Sequence, residues 1–216
     1  MTPVCERLLD DGLVALNVDI ERPQRQRLLS LLGLLHKWNR AYNLTAVRSP
    51  EAMVSRHLLD SVSVAFAVHG PTLLDVGAGP GFPGLVLAIL NPELQVTLLD
   101  SNGKKVRFQR QAVMELGLDN VRCEQVRVES FDATFDQIIS RAFAALGDFI
   151  TLTEPLLAEG GEWLAMKGGL DSRELESLPA HVAVHERLAL TVPGVDDAER
   201  QLLRLGRVAD AMPDTR

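Results

Sequence analysis

Cysteine is scarce: Cys5 and Cys123 are the only two in 216 residues. That count excludes a disulfide framework and a cysteine-rich zinc site. No apolar run reaches the ~20 residues of a membrane span. The N-terminus, MTPVCERLLDDG, carries acids where a secretory signal would be basic and then apolar. A cytoplasmic protein without membrane contact is therefore expected, and the NLT sequon at Asn43 has no meaning in that setting. Internal repeats and low-complexity linkers are also missing. What is present is 46% apolar residue content, enough for a sizeable core. The length suits one α/β domain with an appendage, or two small domains.

Basic residues are too few to balance the acids. The net charge of −7 argues, as an average, against a nucleic-acid partner. The average hides an asymmetry. Between Arg22 and Arg56 there are seven bases and one acid, and between Ser101 and Arg110 four bases and no acid. Between Glu129 and Glu199 there are fourteen acids and four bases. One side of the molecule can be basic while the whole is acidic, although scattered, solvated helix faces would give the same count.

Residues 1–70 read as an N-terminal helical extension. Leu28, Leu31, Leu32, Leu35 and Trp38 form a stripe at helical spacing. Ser49-Pro50-Glu51 opens a further helix with a capping hydroxyl, a first-turn proline and an early acid, running to about Val68. Residues 71–216 change rhythm. TLLDV, QVTLLD, VRCEQ, FDQIIS and GGEWLAMK read as strands, separated by the helices FPGLVLAIL, GKKVRFQRQAVMELG and LGDFITLTEPLLA. HVAVHERLAL and RQLLRLGRV read as closing strands. Alternation of this kind implies an α/β fold with a mainly parallel, Rossmann-like sheet, binding its ligand at the carboxyl ends of the strands.

The turn LLDVGAGPGFPG (73–84) follows the first strand. Its residues Gly79 to Gly84 satisfy the dinucleotide pattern G-x-G-x-x-G, so NAD and S-adenosylmethionine compete. Asp100 ends the second strand, where a carboxylate can bind both hydroxyls of an adenosine ribose in either cofactor. Asp75 just before the glycines would suit a sulfonium and oppose a pyrophosphate. Gly77, Ala78 and Gly79 allow close backbone approach. The residues favour S-adenosylmethionine and a class I methyltransferase; an NAD-linked oxidoreductase is the competing reading.

The acceptor is approached by elimination. The [DN]-P-P-[YF] motif of amine methylation is missing after the fourth strand, where the chain reads ISRAF (139–143). Cys123, expected inside a strand, is a poor candidate for the nucleophile of pyrimidine C5 methylation. No metal-ligand spacing is present, and the five histidines are scattered. A ring nitrogen with an in-plane lone pair, such as guanine N7, needs neither base nor metal. Arg141, at the end of the fourth strand, and Lys167 are the candidates for gripping guanine O6 or a phosphate. A salt bridge from Arg141 to Asp136 or Glu129 is the structural alternative.

These residues resemble the bacterial 16S rRNA guanine-N7 methyltransferase G family, also known as glucose-inhibited division protein B. The resemblance rests on LHKWNRAYNLTAVR (35–48), RHLLDS (56–61), the glycine turn, LLDSNGKKVRF (98–108), RVE (127–129), ISRAFAAL (139–146) and MKG (166–168). It implies cofactor contacts at Gly77, Phe82, Val128, Glu129 and Arg141, with Asp75, Gly79, Gly81 and Asp100 completing the expected set. It also implies 16S rRNA, in the 30S subunit or its precursor, as substrate, and a monomeric enzyme. Lys104, Lys105, Arg107, Lys37 and Arg40 are the expected RNA contacts. A non-catalytic ribosome-assembly factor would keep the same fold. For HKWNRAYNLT, packing of Trp38 and Tyr42 competes with a place in the RNA cleft. The segment after Gly168 matches poorly and has no assigned role.

Overall fold

A computed structural model describes residues 2–141, 143, 145–169, 172–196 and 199–208. Helix α1 (Pro3–Ala15) is capped by the Thr2 side chain, and α2 (Arg22–Tyr42) opens with the Glu21 amide donating to Gln24 Oε1 at 2.7 Å. The leucine stripe of α2 does what its spacing predicts. Leu28, Leu31, Leu32 and Leu35 are fully buried, each contributing ~1.5–3 kcal/mol. The residues 49–68 differ from the single helix expected. Ser49 Oγ accepts from the Ala52 amide, and α3 (Pro50–Met53) follows. The chain then widens into a π-helical turn (Val54–Leu59) before a short α4 (Asp60–Val62) and a 3-10 turn (Ala65–Ala67). Such wide turns are rare and, inside α-helices, frequently lie at functional sites.

The sheet begins at β1 (Thr72–Val76), with no strand described before it. It continues through α5 (Gly84–Leu90), β2 (Gln95–Leu99), α6 (Gly103–Leu116), β3 (Val121–Glu124) and β4 (Phe135–Ser140). Then come α7 (Leu146–Thr153), β5 (Leu157–Lys167), α8 (Ser172–Glu176), β6 (Val182–Ala189) and β7 (Gln201–Arg207). Strand order is β3-β2-β1-β4-β5-β7-β6, parallel except for β7, which runs antiparallel to both its neighbours. The order reverses between β1 and β4, and the crevice above such a switch point is the natural ligand site.

Two apolar layers enclose the sheet. Leu73 faces the layer of α1, α2, α5 and α6. Leu74, Val76 and Leu99 face the layer of α7. The extension is joined to the sheet through Trp38, whose ring lies 5.8 Å from Phe108 of α6 and 5.1 Å from Tyr42. Among the described residues no helix is long and apolar enough to cross a membrane.

Candidate active site

Two clefts open at the carboxyl ends of the parallel strands. The first has about 370 Å³ and is lined by Val76, Gly77, Leu99, Asp100, Lys105, Val128, Glu129, Phe143 and Leu152, among others. Gly77 has φ +67°, and a Cβ added there would meet nothing within 4 Å. The backbone therefore faces open cleft in a conformation that favours glycine. Asp100 Oδ2 accepts from the Gly79 amide at 2.9 Å, and Oδ1 from the Asn102 amide at 2.8 Å. These two bonds fix the carboxylate across the top of β1 and β2. Each oxygen keeps a further lone pair for a donor such as a ribose hydroxyl. Opposite lies an apolar wall of Val76, Leu99, Val126, Val128 and Phe143, with Glu129 exposed at the rim.

The second cleft, about 360 Å³, is lined by Arg56, His57, Asp60, Arg141, Met166, Lys167 and Arg200 together with neighbouring apolar groups. Arg141 Nη1 donates to the Arg56 carbonyl and to Asp60 Oδ2, both at 3.2 Å. Asp60 Oδ1 accepts from Arg200 Nε at 3.3 Å. The guanidinium of Arg141 sits 5.9 Å from the centroid of the Phe82 ring, and His57 stacks on the same ring at 5.1 Å. Burial, reinforced by the charge of Arg141, pushes the His57 imidazolium down to about 3, so the ring is neutral. Lys167 Nζ lies 2.5 Å from Glu174 Oε2 and donates to the Phe143 carbonyl at 3.2 Å. The segment after β4 therefore divides the clefts: Arg141 points into one and Phe143 into the other.

HKWNRAYNLT serves this arrangement from beneath. Asn39 is buried and ties down the next loop, donating to the Val47 carbonyl and accepting from the Thr45 amide, both at 2.9 Å. Thr45 Oγ1 then meets His57 Nε2 at 2.9 Å. A scaffold chain thus runs from Asn39 through Thr45 and His57 to Phe82. Trp38 and Tyr42 pack against each other, as the packing reading expected.

The chain is similar to known proteins. A family model described as rRNA small subunit methyltransferase G covers residues 24–203. A protein of Chromohalobacter salexigens named ribosomal RNA small subunit methyltransferase G is 67% identical over 208 residues, spanning 96% of this chain and all of that one. The chain belongs to the rRNA small subunit methyltransferase G family. Among solved structures, TrmN from Thermus thermophilus superposes with a TM-score of 0.58 at 20% identity. The match covers 80% of this chain and 53% of TrmN, so the chain spans about half the length of that protein. The ribosomal protein L11 methylase of Lactobacillus delbrueckii gives 0.53 at 18%, over 70% and 77%. Both likenesses speak for a class I methyltransferase fold alone.

The cofactor of this methyltransferase is S-adenosylmethionine, and the first cleft fits it. It offers a fixed carboxylate, an apolar wall and a bare glycine backbone in one cavity.

The residues expected at the site take different places in the structure. Asp75 does not reach the cofactor cleft. It is 1% exposed, and its Oδ2 accepts from the Gly84 amide at 2.7 Å, anchoring the start of α5. A Cβ at Gly84 would run into Leu98 Cδ2 and come within 2.9 Å of Asp75 Oδ2, so glycine is required by close packing there. Gly81 is likewise an interior residue: a Cβ on it would collide with Leu85. Phe82 is buried beneath His57 and Arg141 and does not line the cofactor cleft. Arg141 lines the second cleft, and its carboxylate partner is Asp60, not Asp136 or Glu129. Lys105 turns into the cofactor cleft, 3.9 Å from Asp100 Oδ2, while Lys104 and Arg107 stay exposed on α6. Lys37 and Arg40 are exposed on α2, which packs beside α6 through Trp38. Cys123 lies in β3, with burial pushing its thiol up to about 11.

Sequence reasoning gave no site role to Arg56, His57, Asp60 or Arg200, which line the second cleft. The first three sit in RHLLDS, where the spacing from Arg56 to Asp60 is one that places side chains on one helix face. Arg200, an isolated base just before β7, carries no local signal.

Proposed function

We propose that this methyltransferase modifies N7 of a guanosine in 16S rRNA, within the 30S subunit or its precursor. The observation that carries the reading is the division of the two clefts by Arg141 and Phe143. It provides one cavity for the cofactor and an adjoining cation-lined cavity for the acceptor. When bound, S-adenosylmethionine supplies an electrophilic methyl group on a sulfonium.

In this reading Asp100 holds the ribose hydroxyls. Val128 would lie against the adenine and Glu129 near its amine, and Gly77 and Gly79 would let the backbone approach. Methyl transfer would break the S–CH₃ bond and form N7–CH₃. The positive charge passes to the base and no proton leaves, so no general base is required. The residues of the second cleft agree with that. His57, held near 3, is far too weak a base for neutral pH, and both oxygens of Asp60 are engaged by arginines. Arg141 and Lys167 orient the guanine through O6 or a flanking phosphate, leaving N7 free. Positioning of this kind can supply ~7–11 kcal/mol of the barrier.

RNA approaches over the exposed bases Lys37 and Arg40 of α2 and Lys104 and Arg107 of α6, with Lys105 between this surface and the cofactor. The extension (1–70) and the methyltransferase domain (71–216) act as one compact, monomeric unit. The test is transfer of a radiolabelled methyl group to unmodified 30S particles and to deproteinised 16S rRNA, with mass mapping of the product. N7-methylguanosine at a single position is expected. Incorporation at any other atom, or none into either RNA, overturns the reading.

A further inference from the structure

Asp60 is an unusual residue to find at an RNA-binding cleft. It is 3% exposed, and its carboxylate is shared by two arginines from distant regions of the chain. Arg141 comes from the end of β4 and Arg200 from the start of β7. The π-helical turn ends on Leu59, so the residue after it is the one aimed between them. One carboxylate neutralises one guanidinium and leaves an excess positive charge on the pair. Neither arginine is used up by it. Arg200 donates Nε to Asp60 and Nη1 to the Glu199 carbonyl, and Nη2 has no partner among the described residues. Among the described residues, Arg141 hydrogen-bonds through Nη1 alone, to Asp60 and the Arg56 carbonyl. Arg56 and Lys167 line the same cavity. Two guanidinium groups held on one carboxylate suit a phosphate, which accepts several charge-assisted hydrogen bonds at once.

We propose that Asp60 is a positioning residue that presents Arg141 and Arg200 together to one backbone phosphate of the acceptor RNA strand. This rests on the reading of the second cleft as the acceptor site. It gives the C-terminal hairpin a role, since β7 delivers Arg200 across the cleft from β4. The carboxylate holds the two like charges in place before RNA arrives, so binding does not have to order them.

The experiment compares wild type with Arg200→Gln, Arg200→Lys and Asp60→Asn. Binding to unmodified 30S particles is measured across a salt series, beside steady-state transfer and calorimetric titration with S-adenosylmethionine. For Arg200→Gln, KM for the particle rises about tenfold, the loss expected for a hydrogen bond to a charged group. The slope of log affinity against log salt falls by about 0.7–0.9, one phosphate contact. Arg200→Lys keeps the wild-type slope and recovers some of the affinity. Asp60→Asn raises KM with little change in kcat. S-adenosylmethionine affinity stays at the wild-type value in all three. An unchanged salt slope and KM in Arg200→Gln overturns the inference, as does cofactor affinity falling in step with KM, which would mark a merely structural role. Wild-type protein that binds particles without transferring methyl groups would sink the proposed function alone, because the slope comparison still decides this inference.

Discussion

Asp75 offers the sharpest check on the physical reading, because its burial has a consequence that can be measured without substrate. The carboxyl is enclosed in the layer beneath β1, with one backbone donor, the Gly84 amide, and an Oδ1 that has no hydrogen-bond partner among the described residues. Desolvation pushes its pKa up to about 7, against the lowering effects of the Gly84 amide and Arg141. In the unfolded chain the group titrates near its ordinary value of 3.8. A carboxyl raised in this way opposes folding once the unfolded state can ionise. Below about pH 4 the effect vanishes, it grows between pH 4 and 7, and it is constant above. At about 1.4 kcal/mol for each pH unit of separation, the full effect is ~4 kcal/mol, of which ~3 kcal/mol develops between pH 5 and pH 8.5.

Asp75→Asn removes that titration. Its amide oxygen can keep the Gly84 bond, while the NH₂ meets a site without an acceptor, at a cost of ~1–3 kcal/mol that does not depend on pH. Urea unfolding of both proteins at pH 5 and pH 8.5 is the assay. The stability difference should move by ~3 kcal/mol in favour of the variant as pH rises, whatever its value at pH 5. A difference that stays constant with pH, or moves toward the wild type, would contradict the burial of a proton-binding carboxyl at this position.

Other outcomes follow from the two clefts. Gly77→Ala places a methyl in the cofactor cavity at φ +67°. Titration should show at least about a tenfold loss of S-adenosylmethionine affinity, with stability lowered by only ~1–2 kcal/mol. Arg141→Lys keeps the charge and loses the planar fork. It should lower kcat/KM for 30S particles by about a hundredfold while calorimetry shows cofactor affinity within about threefold of wild type. Cys123→Ser should transfer methyl groups at the wild-type rate within about twofold, because a thiol held near 11 supplies no nucleophile at neutral pH.

Much of the fold was legible because it is written in local periodicity. The leucine stripe of α2, the Ser49-Pro50 start and all seven strands follow from apolar spacing, turn residues and caps. The π-helical turn was not, since nothing in VSRHLL distinguishes it from an ordinary helical segment. It arises where Arg141, 85 residues further along, bonds to the Arg56 carbonyl. The site divides along the same line. Gly77, Asp100, Val128 and Glu129, expected from the glycine turn, the end of the second strand and the family resemblance, line one cleft together. The burial of Asp75 was not legible for a specific reason: alternate residues of β1 face opposite layers, and helices cover both. Leu73 faces the layer of α1, α2, α5 and α6, and Asp75 shares that parity. Leu74 and Val76 face the layer where the cofactor cleft opens. A strand apolar on both sides does not announce which face meets the ligand.

Local patterns along the chain were enough for the α/β architecture and for the glycine turn that follows the first strand. These depend on near neighbours, through backbone conformation and the period of burial. Folding in three dimensions was needed to join Asp60 to Arg141 and Arg200, to set Asn39 and Thr45 beneath His57, and to let Arg141 and Phe143 separate one cavity from the other. Those contacts link residues up to 140 positions apart. Their energies come from desolvated charge and hydrogen bonding in a shared interior, which no local pattern encodes.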